Sequence, residues 1–564
     1  MDVLLDDQVR HTQMYFARPH RVIESYGRRA PSDVFAEIDD ALARGRWVAG
    51  WIGYEFGAAL EPRLAHTVNA GVPVLRLGVF DAPSDIPPVE CLYTAEPPSL
   101  SLEPAWSEAD YLRRFEAVQR YLGAGDAYQI NLTFPLNGVA PSGVETHHIY
   151  AAFRRRQPGR YGALIRDPGG PDVASFSPEL FFAREGRSMR MRPMKGTLPL
   201  SGEPEAMRLD PKSRAENLMI VDLLRNDLSR LCEPGSVRVP ELFALEAYPT
   251  LHQMTSEVTG RLREDVSWET IFRALFPCGS VTGAPKVRAM EIIHELEAGP
   301  RWPYCGAIGF IAPDGRACFS VAIRTLIQMG QRIRYSVGSG VVRDSDGESE
   351  YRECLLKADL LKAEPERAIE TLRLEPDGHA ARLARHAARF KAARPQGGLE
   401  ALVGALDVDG VSRVRVSAAS GRAPRAEAAP LLALTEPLSI ALSRYPLSDA
   451  VQTTAFKTSR RDFYDGERAR AAARCGADEV VFRGEDGRMR EGSFTSLFVQ
   501  SGRTLLTPAG PGLLPGVLRA ELLDAGVARE APLRWDDLLE ADALFVGNSL
   551  RGLMRARIIA QEPV

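Results

Sequence analysis

The sequence predicts an α/β (α+β) chain in two parts, a larger first unit of helices and antiparallel strands and a smaller second one, and three observations predict it. Its 564 residues are several structural units at about 150 residues per domain. Helical periodicity and strict alternation take turns along the chain, so helices and strands are interleaved. The helical run ECLLKADLLKAE gives way after Lys362 to EPERAIETLRLEPDG, where proline and charge replace the apolar pattern, and a second unit starts near Ile369.

Composition limits the functional class. With 45% hydrophobic and 26% charged residues, and 48 Gly and 40 Pro scattered along its length, the chain is neither disordered nor of low complexity. Lys plus Arg number 70 against 74 Asp plus Glu, a net charge of -4. That balance offers no chain-wide footprint for nucleic acid or an anionic membrane, so any anion site is local. The seven cysteines are dispersed, odd in number and form no C-x-x-C pair, the pattern of free thiols in a reducing compartment. The nine histidines show no zinc spacing. MDVLLDDQVR is acidic where a signal peptide needs a basic and then apolar run, and the longest uncharged stretch, 127–144, contains Asn, Pro and Gly. A cytoplasmic location is expected.

In chain order, Ser107 with Glu108 and Asp110 caps a helix whose Tyr111, Leu112, Phe115, Val118 and Leu122 recur at helical spacing and which Gly123 and Gly125 end. Ser213, with Glu216 three residues on, opens a second helix through NLMIVDLLRNDLSRL, and Pro285 opens a third. Between Tyr304 and Val337 the runs YCGAIGF, ACFSVAIRTL and RIRYSV alternate, separated by PDGR and QMGQ, and predict an antiparallel meander. Its middle strand puts Phe319, Val321 and Ile323 on one face and Ser320, Ala322 and Arg324 on the other, leaving the arginine among small groups with room for a ligand. Beyond Ile369, RLARHAARFKAARP reads as a helix, and the Pro/Ala stretch from Arg422 to Pro430 as an internal junction.

Taken singly, the chemical motifs are weak. The loop CGSVTGAPK has the glycines and helix-opening proline of an anion cradle, but Ala284 and Pro285 interrupt any Walker pattern. YSVGSGVVR has Arg343 where a dinucleotide loop needs its third glycine. Glu350 and Glu353, three apart on one helical face, joined by Glu216 from another helix, are the oxygen donors that could hold Mg²⁺ against a substrate carboxylate. A single such pair is usually a solvated face. Lys195, in RMRPMKGTLP, is a nucleophile only if partly buried with a lowered pKa.

Their joint order carries the reading. GDAYQINLTFPL, SFSPELFF, RPMKGTLP, AENLMIVDLLRNDLSRLCEPGSVRVP, FPCGSVTGAPKVRAMEIIHELE, YCGAIGF, AIRTL and YSVGSGVVRDSDGESEYRECLLKA stand as they do in chorismate-utilising enzymes, which this chain resembles over roughly residues 105–362. The resemblance implies a chorismate-binding fold of two layered antiparallel sheets with helices, divided here into an abbreviated amino-terminal part, 1–104, and a catalytic part, 105–365. It assigns Ser280, Tyr304, Arg324, Gly338, Gly340 and Lys357 to the substrate and Glu216, Glu350 and Glu353 to Mg²⁺. Ser213 stands at a further metal position that is acidic in anthranilate synthases. Gln253 stands at those enzymes' catalytic histidine, so the neighbouring His252 receives no role. Lysine in P-M-K-G-T is the pattern of the aminodeoxychorismate branch and implies Lys195 as nucleophile in amination at C4. No Gly-x-Cys-x-Gly segment of a glutamine amidotransferase is present, so the ammonia is expected from a separate amidotransferase subunit.

In the second unit, Arg389, Lys457, Glu491, GLLPGVLR and Ser549 follow the order of fold-type IV pyridoxal-phosphate enzymes, which residues 369–556 resemble. That implies a two-subdomain α/β unit over 366–564, with a homodimer through it as one arrangement the resemblance allows. Lys457 would hold pyridoxal 5'-phosphate covalently and act as acid and base, with Glu491 on the ring nitrogen. Arg389, Gly516, Val517, Leu518 and Ser549 would take the phosphate. Thr495-Ser496 replaces the commoner Ser-Asn. These motifs do not separate a lyase from an aminotransferase. Fusion to a chorismate aminase favours a lyase that eliminates pyruvate, so the expected product is 4-aminobenzoate, a folate precursor. The rivals are an anthranilate-type synthase fused to a branched-chain or D-amino-acid aminotransferase, and a non-catalytic ligand-sensing protein.

Overall fold

The computed structural model describes all residues except 69–70, 95–96, 155, 157–158, 200–207, 248–250, 298, 363–366, 393–397, 420–422, 448–456, 460, 511–512 and 561–564, together with all side chains of the remainder except those of 195–199, 211–213, 246–247, 251–253 and 392. The chain divides into two units, Met1–Leu92 with Pro97–Ala363 and Tyr93–Glu96 with Glu364–Val564. Among the described residues no helix is long and apolar enough to cross a membrane. All seven cysteines are free thiols.

The first unit is built on two large antiparallel sheets. One runs Gly283–Ala284, Gln129–Val139, Arg332–Val341, Thr325–Met329, Asp172–Ser177, Tyr161–Arg166, Asp2–Asp7, Thr12–Phe16. The other runs Met194–Pro199, Leu251–Arg261, Ser188–Arg192, Leu180–Glu185, Ala317–Val321, Ala307–Ile311, Trp47–Ile52, Leu75–Phe80, Arg21–Ser25. Val3, Phe16, Ile165 and Val173 of the first sheet share one buried cluster with Ala49, Trp51, Phe80 and Ile308 of the second, so apolar inner faces hold the layers together. The first 92 residues supply strands to both sheets.

The Ser107 helix spans Glu108–Ala124 with a full capping box to Asp110 and ends at Gly125, whose φ of 81° suits a residue without Cβ. The second predicted helix spans Pro211–Ser229, starting two residues earlier than Ser213. The third, Lys286–Leu296, follows Pro285. The meander is corrected. Ala307–Ile311 pairs with Ala317–Val321 in one sheet, whereas Thr325–Met329 pairs with Arg332–Val341 in the other. The long middle strand breaks between them, where Arg324 takes a φ of 52°. Left-handed backbone cannot continue a ladder, so the chain changes layers, and the even alternation expected through Ile323 and Arg324 does not hold.

The described residues of the second unit form two sheets, each with its own core. The smaller is antiparallel, Arg367–Leu374, Ser412–Ala419, Arg425–Pro430, with Leu372, Val414 and Val416 packed against Ala387 and Phe390 of the helix Leu383–Ala392. The larger is mixed and runs Met489–Gly492, Glu479–Arg483, Leu438–Leu442, Gly552–Ile558, Ala543–Asn548, Ser496–Ser501, Thr504–Pro508, Ala528–Ala531. The internal junction expected at Arg422 to Pro430 is corrected too. Arg425–Pro430 is a strand whose backbone is paired with Ser412–Ala419 despite its alanine-rich, proline-ended sequence.

Candidate active sites

In the first unit, several of the expected substrate residues meet at the crossing between sheets. Arg324 Nη1 donates to the carbonyl oxygen of Lys357 at 3.0 Å, and the Tyr335 hydroxyl donates to the same oxygen at 3.1 Å. Lys357 Nζ donates to the Gly338 carbonyl at 2.8 Å and pairs with Glu353 Oε1 at 2.7 Å. One network thus joins Arg324, Lys357, Gly338 and Glu353. Ser280 Oγ donates to the buried Glu179 Oε1 at 2.8 Å, and the Glu179 carbonyl accepts from the amide of Val321, three residues before Arg324. Tyr304 is buried, and burial keeps its phenol protonated by pushing its pKa well up, with Cys305, Arg301 and Cys354 among the groups that act on it. Gly338 and Gly340 sit opposite Thr133 and Asn131 in the ladder. A Cβ on Gly338 would lie 2.5 Å from Thr133 Cγ2 and 2.8 Å from the Leu132 oxygen, so strand packing by itself requires glycine there.

Lys195 lies on Met194–Pro199, opposite Met254 of Leu251–Arg261, at an irregularity in the register; its side chain is outside the described residues, as are those of His252, Gln253 and Ser213. The Pro211–Ser229 helix is tied to the same strand, because Ser256 Oγ donates to Asn217 Oδ1 at 2.6 Å with both residues fully buried. This bond brings the Glu216 turn beside the strand that faces Lys195. Sequence reasoning missed it, although two polar residues inside apolar runs were its signal. Glu350 and Glu353 lie one turn apart on Gly347–Leu356. Their chemistry suits Mg²⁺. Among the described residues, however, no three His, Cys, Asp or Glu side chains converge into a metal-holding group, and Glu353 is paired with Lys357.

In the second unit, one cavity of about 420 Å³ brings together Arg389, Lys457, Glu491, Gly516, Val517, Leu518 and Ser549. The Lys457 carbonyl accepts from the Ile369 amide at 2.8 Å, fixing the lysine beside Arg367–Leu374, and its Nζ makes a long 3.4 Å contact to Thr371 Oγ1. Burial, then the charges of Arg461 and Arg389, pull its pKa down to about 7. Glu491 accepts from the Tyr464 hydroxyl at 2.9 Å and the Leu514 amide at 3.1 Å, yet burial raises its pKa to about 7.

Arg389 donates through Nε and Nη2 to Glu370 at 2.7 and 2.6 Å, and through Nη1 to the Pro515 carbonyl at 2.9 Å. A forked guanidinium is thereby held against the turn that opens the Val517–Asp524 helix, whose amides favour an anion. The chain Glu370–His386–Ser549 continues the arrangement, with 2.7 Å at each of the two contacts. For Glu370, burial is outweighed by Arg389 and His386, which hold its carboxyl low. Glu479, fully buried, accepts from Ser493 and Thr495 and from the amides of Val480, Ser493 and Phe494, pinning the turn after Glu491. Glu370, His386, Tyr464 and Glu479 were missed. The i, i+3 pair His386 and Arg389 and a lone acid opening the apolar run EVVFR were the available signals. Each residue found here fits pyridoxal phosphate in kind: an enclosed lysine, a desolvated carboxyl and an oriented arginine at a helix start.

Each unit thus has a candidate site, an arginine–lysine network at the crossing between sheets in the first and a cavity that gathers a lysine, a carboxyl and an arginine in the second. Residues 2–363 match the family model described as chorismate binding enzyme, and the chain belongs to that family. Residues 367–559 match amino-transferase class IV. The aminodeoxychorismate synthase component 1 of Klebsiella aerogenes is 42% identical over 266 residues, 45% of this chain and 58% of that one. An anthranilate synthase component 1 of Haloarcula marismortui is 37% identical over 313 residues, 54% of this chain and 60% of that one. The chain therefore spans under two thirds of these curated relatives. Among solved structures, anthranilate synthase component I of Streptococcus pneumoniae TIGR4 shares the fold, with a TM-score of 0.53 and 23% identity, covering 62% of this chain and 91% of that one.

Proposed function

We propose that the chain makes 4-aminobenzoate in two steps, amination of chorismate at C4 in the first unit and elimination of pyruvate in the second. What carries the reading is the combination, in one chain, of a chorismate-family unit bearing lysine in P-M-K-G-T and a class IV unit whose cavity holds Lys457, Glu491 and Arg389 together. In the first unit Arg324 and the neutral Tyr304 hydroxyl orient the substrate carboxylates, Arg324 being braced by the Lys357 carbonyl. The Lys195 amine attacks C2 as the ring double bond shifts and the 4-hydroxyl leaves as water; ammonia then attacks C4 and expels the lysine. Two easier displacements replace one difficult one. Mg²⁺ would be held by Glu216, Glu350 and Glu353, and a separate glutamine amidotransferase supplies ammonia.

In the second unit pyridoxal phosphate supplies an electron sink when bound. Arg389, Ser549 and the Gly516–Leu518 amides hold its phosphate, and Glu491 holds a proton at the ring nitrogen. Lys457, with a pKa of about 7, is able to take and return a proton at neutral pH. The test is product analysis of the purified chain with chorismate, ammonium, Mg²⁺ and pyridoxal phosphate. Equal amounts of 4-aminobenzoate and pyruvate are expected, with little turnover when glutamine replaces ammonium. Anthranilate as the product would replace this reading by that of an ortho-specific synthase fused to an aminotransferase.

A further inference from the structure

The Lys457 cavity has many more basic than acidic side chains, and part of the excess is already matched. Arg389 is held by Glu370, while Arg461 and Arg468 face Asp465 at 3.8 and 3.7 Å. Arg413 and Arg415 also line the cavity, from alternate positions of Ser412–Ala419, with the intervening Val414 fully buried in the small sheet's core. Arg551 lines it from the turn before Gly552–Ile558. Among the described residues none of these three guanidiniums is paired with a carboxylate.

Arg551 is nonetheless held in place. Its Nη1 donates to the Leu432 carbonyl at 2.6 Å, and its amide donates to Asn548 Oδ1 at 3.0 Å. Burial, and after it the charge of Arg413, lowers its pKa, which marks the two cations as neighbours. Two neighbouring guanidiniums that face one cavity with no acid between them offer an incoming anion two charged donors at once. Arg415 is the inner member of the set, close enough to Lys457 for its charge to act on the amine.

We propose that Arg413 and Arg551 form a carboxylate subsite on the outer wall of this cavity, selecting amines that carry a carboxylate remote from the reacting nitrogen. The inference rests on the lyase reading and deepens it. 4-Amino-4-deoxychorismate has a ring carboxylate para to its amine and a second on the enolpyruvyl group, whereas a simple amino acid has one, beside the nitrogen. A guanidinium pair rewards the remote carboxylate with charge-assisted hydrogen bonds and gains no such contact from a neutral side chain.

The test uses the full chain loaded with pyridoxal phosphate and the variants Arg413→Met, Arg551→Met, their lysine counterparts and the double methionine variant. Pyruvate release from supplied 4-amino-4-deoxychorismate gives KM and kcat. Binding of 4-aminobenzoate, which keeps only the ring carboxylate, is followed through the absorbance of the bound cofactor. Each methionine variant is expected to raise KM and weaken 4-aminobenzoate binding by roughly tenfold, the worth of one charge-assisted hydrogen bond, with kcat little changed and lysine restoring part of the loss. A double methionine variant that keeps the cofactor absorbance, the KM and the 4-aminobenzoate affinity of the parent overturns the subsite. A parent chain that releases no pyruvate overturns the lyase reading instead, and the 4-aminobenzoate arm then still decides the subsite.

Discussion

Lys457 and Glu491 begin at opposite ends of the titration scale, and burial brings both to about 7. For the lysine the folded value lies below the unfolded one, about 10.5. Stability is therefore full above pH 10.5 and is lost as the pH falls toward 7, because the unfolded chain takes up the proton first. For the glutamate the folded value is raised, so stability is full below about 4.5 and is lost as the pH rises toward 7. Near neutrality the cofactor-free second unit carries both penalties, the expected condition of a site built to hold a charged group. Lys457→Met is accordingly expected to raise the melting temperature of the cofactor-free second unit at pH 7, at about 2–4 °C per kcal/mol relieved, with the gain shrinking toward pH 10.5. The same variant should lose both the absorbance of bound pyridoxal phosphate and pyruvate release. Melting curves and spectra across this pH range check both. Borohydride trapping and peptide mapping that put the cofactor on another lysine would remove the roles given to Glu491 and Arg389 as well.

Among the elements, the strand that fails to continue matters most. Alternation runs in the sequence from Phe319 to Arg324, and the φ of 52° at Arg324 together with the strand pairings shows that the chain leaves one sheet for the other there. The crossing puts the guanidinium beside the Lys357 carbonyl, at the end of the helix that bears Glu350 and Glu353. A flat meander would have left it within one sheet. Gly338 shows a second ambiguity, since its position suits both an anion's approach and a tight strand pair. Overpacking of this kind typically costs about 1–3 kcal/mol, so Gly338→Ala is expected to lower the first unit's unfolding temperature and to reduce amination in parallel. Calorimetry beside chorismate binding separates the two roles. An unchanged transition with lost binding would assign the glycine to the substrate.

At the scale of the whole molecule, two units of separate core and separate chemistry predict separable lesions. Lys195→Ala should abolish chorismate amination and leave pyruvate release from supplied 4-amino-4-deoxychorismate at the parent rate, because the described residues that line the Lys457 cavity all belong to the second unit. Coupled and uncoupled assays on one preparation measure both. Undiminished amination at C4 would refute the nucleophile role of Lys195.

The sequence by itself determined what is local or ordered along the chain. The Ser107 cap, the helices entered near Ser213 and after Pro285 and the motif order that pointed to both enzyme families all depend on neighbours in sequence, where propensity, capping and spacing act. Lys457, Glu491, Arg389 and Ser549 were singled out by their types and order alone, and one cavity gathers them. Only the tertiary structure decided which groups meet. Glu370 bridging Arg389 and His386, Glu479 pinning the turn after Glu491, Asn217 tying the Glu216 helix to the strand facing Lys195, and the layer change at Arg324 all join segments whose separation along the chain carries no spacing signal. Such partners are selected by burial and by the need to satisfy polar groups removed from water. Both are properties of the folded packing rather than of any window of sequence.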